Sequence, residues 1–335
     1  MTSGHADMAH GETSSPRLTG SPDLTGMDVG AAYLAAPGFE AALEHELARQ
    51  GVEVRWHGRL ALTIQPPMRS AWALEVWTAP QSRDIPSIKA AARDLRAIQR
   101  NWAGYAPDLH RRSALIAQNL PPLAARPLVF PSLPPQGHLG AWTLLSADRM
   151  LLSPTKTSPF INGEVQFVED RQGPPSRAYL KLWEAFTRLG QWPRAGETCL
   201  DLGASPGGWT WVAARCGADV IAIDRADLDP RVAALPGVTT RRESAFGLDP
   251  ASMPHVDWLL SDIIAYPTRL LALARRWIDS GRVARMVLTI KFQGETDHDT
   301  AEQFAALPGG VVRHLWHNKH ELTFFWMRTG APDVA

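Results

Sequence analysis

Beyond residue 170, short apolar runs alternate with stretches whose apolar side chains recur every three or four positions. Ala178, Leu182, Ala185 and Leu189 share one face of a helix predicted over 177–189, and Thr198-Cys-Leu-Asp-Leu202 follows as a buried strand. Further strands are predicted at 218–224, 238–243, 257–263 and 286–292, and helices at 209–215, 268–278 and 300–307. The chain closes with strands at 311–317 and 322–328. Strands and helices in alternation predict an α/β fold of the Rossmann-like kind, a mostly parallel sheet covered on both faces. The last two strands, joined by a short turn, are expected to form an antiparallel edge hairpin.

The first half has a different pattern. Residues 1–26 are rich in Gly, Ser, Thr and Pro without apolar periodicity and read as a disordered tail. A strand at 31–36 leads to a helix with Phe39, Leu43 and Leu47 on one face. Strands at 52–57 and 59–64 turn about Gly58, and 73–77 is another. With a helix over 85–102 bearing Lys89, Arg93, Arg96 and Arg100, this order predicts a ferredoxin-like α+β domain over 27–105. Residues 106–170 read as a linking region: a helix at 109–119, a proline-rich connector at 121–135, and a hairpin of 142–145 with 150–152. Residues 171–330 are then the α/β domain.

Composition narrows the classes. A chain of 335 residues fits two or three domains, and 45% hydrophobic residues suffice for a sizeable core. Two cysteines, Cys199 and Cys216, exclude a disulfide framework and a four-cysteine zinc site. No apolar run approaches a membrane span and no signal-peptide core is visible, so a cytoplasmic protein without a membrane partner is expected. With 34 basic and 34 acidic residues the net charge is zero, so binding to nucleic acid would depend on local patches. Arg241-Arg242, Arg275-Arg276 and the group His314, His317, Lys319, His320 are the candidates. No set of residues at metal-ligand spacing stands out, and a monomer is the expected state.

The chemistry concentrates after the strand at 198–202. Asp201-Leu-Gly203-Ala-Ser205-Pro206-Gly207-Gly208-Trp209 is a strand, a glycine turn and a helix start, a device that brings backbone close to a nucleotide. Its spacing is neither the G-x-G-x-x-G of dinucleotide folds nor a phosphate-binding P-loop. Asp224 ends the next strand about twenty residues on, where an acid can accept both ribose hydroxyls of an adenosine. Lys291 and Asp262 are charged residues at the ends of apolar strands, and such residues are seldom buried unless paired or functional. Lys181 and Glu321 fall at the same expected edge of the sheet.

Asp-x-Gly-x-x-Pro-Gly-Gly resembles motif I of the S-adenosylmethionine methyltransferases. The order Lys181, Asp262, Lys291, Glu321 resembles the catalytic Lys-Asp-Lys-Glu tetrad of the FtsJ-like RNA ribose 2′-O-methyltransferases. Pro175-Ser-Arg177, the Gly-Gly-Trp-Thr ending of the turn, Pro159-Phe160 and Ala36-Pro-Gly-Phe-Glu40 are similar to features of the RlmM group. That group modifies a cytidine of large-subunit ribosomal RNA. The resemblance implies a class I methyltransferase domain preceded by a ferredoxin-like and THUMP-type RNA-binding module. It implies S-adenosylmethionine held by Ser176, Asp201, Gly203, Ser205 to Trp209, Asp224 and Asp262, and an RNA partner that is single-stranded or locally opened. The chain departs from the family where an acid usually follows the third strand to meet the adenine: Ser244 stands there, with Glu243 beside it. The departure and the zero net charge leave an alternative, a non-catalytic RNA-binding or ribosome-assembly protein on the same fold. A methyltransferase of proteins or small molecules is a third reading, which the two lysines and two acids argue against.

Overall fold

The computed structural model describes residues 24, 26–123, 126–330 and 332–334. The tail expected at 1–26 lies almost wholly outside the described residues, but Leu24 is buried, with Met27 packed beside it.

The described residues form three sheets. The first holds β1 (Ala31–Ala35), β2 (Arg55–His57), β3 (Leu60–Thr63) and β4 (Ala73–Trp77), all antiparallel in the order β2-β3-β1-β4. One helix, α1 (Glu40–Arg49), separates β1 from β2 and buries Leu43 and Leu47. The second sheet runs β5-β8-β7-β6, from β5 (Gln81–Asp84), β6 (Trp102–Gly104), β7 (Gly140–Leu144) and β8 (Arg149–Ser153). It carries α2 (Ile88–Ile98) and α3 (His110–Gln118), whose apolar sides share a core with it.

This second sheet corrects the expected helix over 85–102. Pro86 and the Ser87 cap, whose side chain accepts from the Ala90 amide, delay the helix start, and Trp102 begins a strand instead. Strands from both sides of residue 105 therefore share one sheet, and the expected boundary falls inside it.

The third sheet has seven strands in the order β11-β10-β9-β12-β13-β15-β14. These are β9 (Thr198–Leu202), β10 (Asp219–Asp224), β11 (Val238–Arg242), β12 (Val256–Ser261), β13 (Val283–Lys291), β14 (Gly310–Arg313) and β15 (Glu321–Met327). The first five are parallel. β15 lies antiparallel between β13 and β14, so the closing pair forms one edge, as its sequence predicted. The alternating helices are α4 (Tyr179–Leu189), α5 (Gly208–Arg215), a short α6 (Pro230–Ala233), α7 (Pro267–Asp279) and α8 (His298–Ala305).

Each face of this sheet has its own core. Leu182, Phe186, Val212 and Trp258 fill one; Leu259, Leu288, Ile290 and Phe324 fill the other. The second core runs on without a break into Tyr33, Leu43 and Trp72 of the first sheet and its helix, so the small unit is packed onto the large one. None of the helices among the described residues is long and apolar enough to cross a membrane.

Candidate active site

The glycine turn between β9 and α5 is glycine for steric reasons. Gly203 has φ +77 and a Cβ there would come within 2.7 Å of Ile263; Gly207 has φ +111 and a Cβ there would meet Val232 at 2.9 Å. A Cβ on Gly208 would stand 2.8 Å from Ser176 Oγ. Three walls therefore converge on a backbone that side chains could not line. Asp224 holds the turn's shape: its carboxylate accepts from the Ser205 amide at 3.0 Å and the Ala226 amide at 2.9 Å. The acid at the end of β10 thus sits against the turn.

Other residues expected around a cofactor divide into two groups. Ser176 and Ser205 to Gly208 border the turn, and Glu243 joins them, since its amide donates to the Asp224 carbonyl. Glu243's carboxylate pairs with Arg241 at 2.6 Å, and Ser244 begins the short turn that follows. Asp201 and Trp209 lie beneath the turn. Asp201 is buried and accepts from Thr210 Oγ1 at 2.6 Å; the Trp209 indole N–H donates to the Ala178 carbonyl at 2.9 Å. These two residues tie β9 to α5 and α5 to the start of α4. Burial, reinforced by the negative charges of Asp262 and Asp224 and opposed by the Thr210 hydrogen bonds, pushes the Asp201 carboxyl up to about 7.

The four charged residues picked from different elements meet. Lys181 Nζ lies 2.7 Å from Asp262 Oδ1 and 2.9 Å from Glu321 Oε1. Lys291 Nζ lies 3.1 Å from the same Asp262 oxygen and donates also to the Asp262 carbonyl. Lys291 and Glu321 are cross-strand partners on β13 and β15, which sets their side chains together by register alone. Burial draws the Lys181 ammonium down, but the combined charges and hydrogen bonds of Asp262 and Glu321 outweigh it, so Lys181 is held above its ordinary value as a fixed cation. Side-chain exposure is 19% for Lys291, 11% for Lys181 and 8% for Glu321, so Lys291 is the lysine open to an incoming group. The tetrad adjoins the glycine turn through β12: Ser261 Oγ donates to the Leu202 carbonyl at 2.7 Å, and Ile263 covers Gly203.

Sequence reasoning missed Glu184. It is wholly buried on α4, pairs with Arg188 at 2.8 Å and accepts from the Trp316 and His317 amides and from His317 Nδ1. The helix bearing Lys181 is thereby locked to the loop that leads into Glu321. Arg188 donates onward to the Gly163 carbonyl and lies over the Phe160 ring, which gives the Pro159-Phe160 segment its place. The expected histidine patch is corrected by the same packing. His314 is buried between Phe39 and Trp72, and His317 turns to Glu184, so only Lys319 of that group is fully exposed. A groove of about 660 Å3 between Val129–Pro131 and the Trp183 and Trp211 rings contains none of the candidate residues.

Residues 174–299 match the FtsJ-like methyltransferase family, a span that includes Lys181, the glycine turn, Asp224, Asp262 and Lys291. This part of the chain is an FtsJ-like methyltransferase domain. Its seven-stranded mixed sheet is the Rossmann-like methyltransferase sheet, and Glu321 lies just beyond the matched span on the strand paired with Lys291.

Two curated relatives are similar to longer parts of the chain. The ribosomal RNA large subunit methyltransferase M of Halorhodospira halophila is 35% identical over 167 residues, covering 48% of this chain and 49% of that protein. The protein of the same name from Laribacter hongkongensis is 29% identical over 346 residues, covering 88% of this chain and 96% of its own length. In the first of these alignments the chain spans about half the length of the relative it matches; the second runs through both FtsJ-like and preceding parts. Among solved structures, Aeropyrum pernix fibrillarin in complex with S-adenosyl-L-methionine is 18% identical at a TM-score of 0.34, covering 44% of this chain and 76% of that one.

Proposed function

We propose that the protein is an S-adenosylmethionine-dependent methyltransferase acting on a ribose 2′-hydroxyl of RNA, with a cytidine of large-subunit ribosomal RNA as the substrate. The observation that carries the reading is the convergence of Lys181, Asp262, Lys291 and Glu321 within hydrogen-bonding distance beside a glycine cradle. The relatives' shared name, ribosomal RNA large subunit methyltransferase M, supports the substrate class. The intact tetrad argues against a non-catalytic assembly protein on the same fold.

S-adenosylmethionine suits the residues present, because the turn at Gly203, Gly207 and Gly208 is held tight against Ile263, Val232 and Ser176 with its backbone bare of side chains, and Asp224 stands at the strand end where a ribose is met. Bound there, it supplies a methyl group already activated by its sulfonium. Ser176, Ser205 to Gly208 and Asp224 would hold it, with Glu243 and Ser244 beyond Asp224 towards the adenine. What remains for this chain is to place the acceptor oxygen and manage its proton. Lys291, the accessible lysine, faces the 2′-hydroxyl and steers or receives that proton. Lys181 stays charged and fixes Asp262 and Glu321 around it. Such positioning can supply much of the rate enhancement, with proton transfer adding roughly 100- to 10,000-fold.

The first two sheets are the N-terminal module by this reading, the second being the THUMP-type part that follows the ferredoxin-like one. The exposed Lys89, Arg93 and Arg96 of α2, with Arg100 just beyond it, would then contact RNA phosphates. The protein would work in the cytoplasm as a monomer.

Mass-spectrometric mapping of ribose methylation in large-subunit ribosomal RNA, incubated with S-adenosylmethionine and the protein, tests substrate, reaction and site together. One new 2′-O-methyl nucleotide is expected with the native protein. None is expected with Lys291→Ala, which should still bind S-adenosylmethionine in a thermal-shift titration. Undiminished turnover by Lys291→Ala, or no ribose methylation by the native protein, would defeat the proposal.

A further inference from the structure

The loop from β12 to α7, Asp262-Ile-Ile-Ala-Tyr266, carries two features of opposite kind. Asp262 faces the two lysines and Ile263 packs over Gly203, so the start of the loop is anchored between the tetrad and the cofactor turn. The next residues are open to solvent. Ile264 is 77% exposed, the most of any large apolar side chain among the described residues, and Tyr266 is 65% exposed. Both are two to four positions from a catalytic carboxylate, on a segment whose ends are pinned by β12 and by the 13-residue helix α7. Folding leaves this pair in water although apolar burial would favour covering it.

We infer that Ile264 and Tyr266 form the wall against which the base of the target nucleotide rests while its ribose is presented to Lys291. The inference rests on the ribose-methylation reading. In the single-stranded or locally opened RNA of that reading the target nucleotide is unstacked, and its base has lost its neighbours on both faces. An aromatic ring beside the site replaces one of them, and an aliphatic side chain covers the edge. Because every base has a π face, such a wall holds the nucleotide without reading its identity. Arg269, one helical turn after Tyr266, already lies over the Phe246 ring at 3.9 Å, so the rim continues as a further cationic and aromatic surface on which the adjoining nucleotide can lie. Tyr266 and Ile264 are positioning residues and take no part in proton transfer.

The test uses the full-length protein, in-vitro-transcribed large-subunit ribosomal RNA and tritiated S-adenosylmethionine. Tyr266→Ala should lower kcat/KM for the RNA by roughly 5- to 100-fold, the range of a lost base–aromatic contact, and Ile264→Ser should lower it by a smaller factor. The dissociation constant for S-adenosylmethionine should be unchanged, and Tyr266→Trp and Tyr266→Phe should recover at least a third of the native kcat/KM. Because both side chains are exposed, the variants should unfold at the native denaturant midpoint. Native kinetics in Tyr266→Ala would overturn the inference and leave the methyltransferase reading standing, as would a loss that neither aromatic replacement restores. If the native protein methylates no ribose, the methyltransferase reading itself falls.

Discussion

Lys291 and Asp262 could be picked out because a charge at the end of an apolar strand is costly unless it is paired or used, and the structure gives each the other as partner. Asp201 looked equally chemical but proved to be a buried brace, distinguishable only once Thr210 is seen to donate to it. Sequence shows that a residue type is unusual in its place; it does not show which way the side chain turns. The brace has a measurable consequence. The Asp201 carboxyl is raised from 3.8 to about 7, so the neutral form is favoured in the folded state. Its stabilising contribution is present in full below about pH 4 and is lost as pH rises through 7, when a charge must be carried in a buried site. Asp201→Asn stays neutral throughout. Its unfolding free energy relative to the native protein should therefore rise between pH 5 and pH 8, by on the order of 2–4 kcal/mol. Urea denaturation at the two pH values checks this, and an unchanging difference would show that Asp201 is already charged at pH 5.

At the scale of elements, the parallel part of the large sheet was legible because its strands are short apolar runs set apart by helical spacing, a pattern that little else produces. Of the second small sheet only the β7–β8 hairpin was, expected at 142–145 with 150–152. Gln81-Ser-Arg-Asp84 has no apolar alternation, since it is a short edge strand that pairs with β8 through its backbone. Glu184 was hidden for the opposite reason: α4 is buried nearly all round, so an acid off its apolar face is wholly enclosed, which helical spacing does not show. Burial acts to raise its carboxyl, but Arg188, His317 and the backbone donors overcome this and hold it at about 2. Glu184→Ala removes the carboxylate from beside a buried guanidinium and should cost about 3–5 kcal/mol. Because Glu184 also accepts from the loop before Glu321, methyl transfer should fall along with stability. Glu184→Gln keeps one oxygen that can accept from the Trp316 or the His317 amide and should lose less of both. Equal stability of Glu184→Ala and the native protein in denaturant titration would show that the network contributes nothing.

At the scale of the whole molecule, the small N-terminal sheet does more than extend the chain. Phe39 and Trp72 from that unit pack with His314, Phe292 and His320, and the last two are the immediate neighbours of Lys291 and Glu321. The His314 amide donates to the Ala71 carbonyl at 2.6 Å, and Arg49 on α1 bridges Asp299 and Glu302 on α8. No local pattern could have shown this contact, because its two sides are more than two hundred residues apart and each reads as ordinary core. It makes the first sheet a buttress for the edge on which half the tetrad stands. Trp72→Ala should therefore cost about 3–5 kcal/mol in stability, as large-to-small changes of a buried aromatic do. Under conditions where the variant remains folded, methyl transfer should fall more than tenfold while affinity for S-adenosylmethionine, whose proposed site lies on the far side of β12, changes less than twofold. Trp72→Phe, which keeps a ring against Phe39 and Phe292, should restore most of the activity. If Trp72→Ala loses cofactor affinity and activity in equal measure, the buttress acts on the whole domain and not on the Lys291–Glu321 edge.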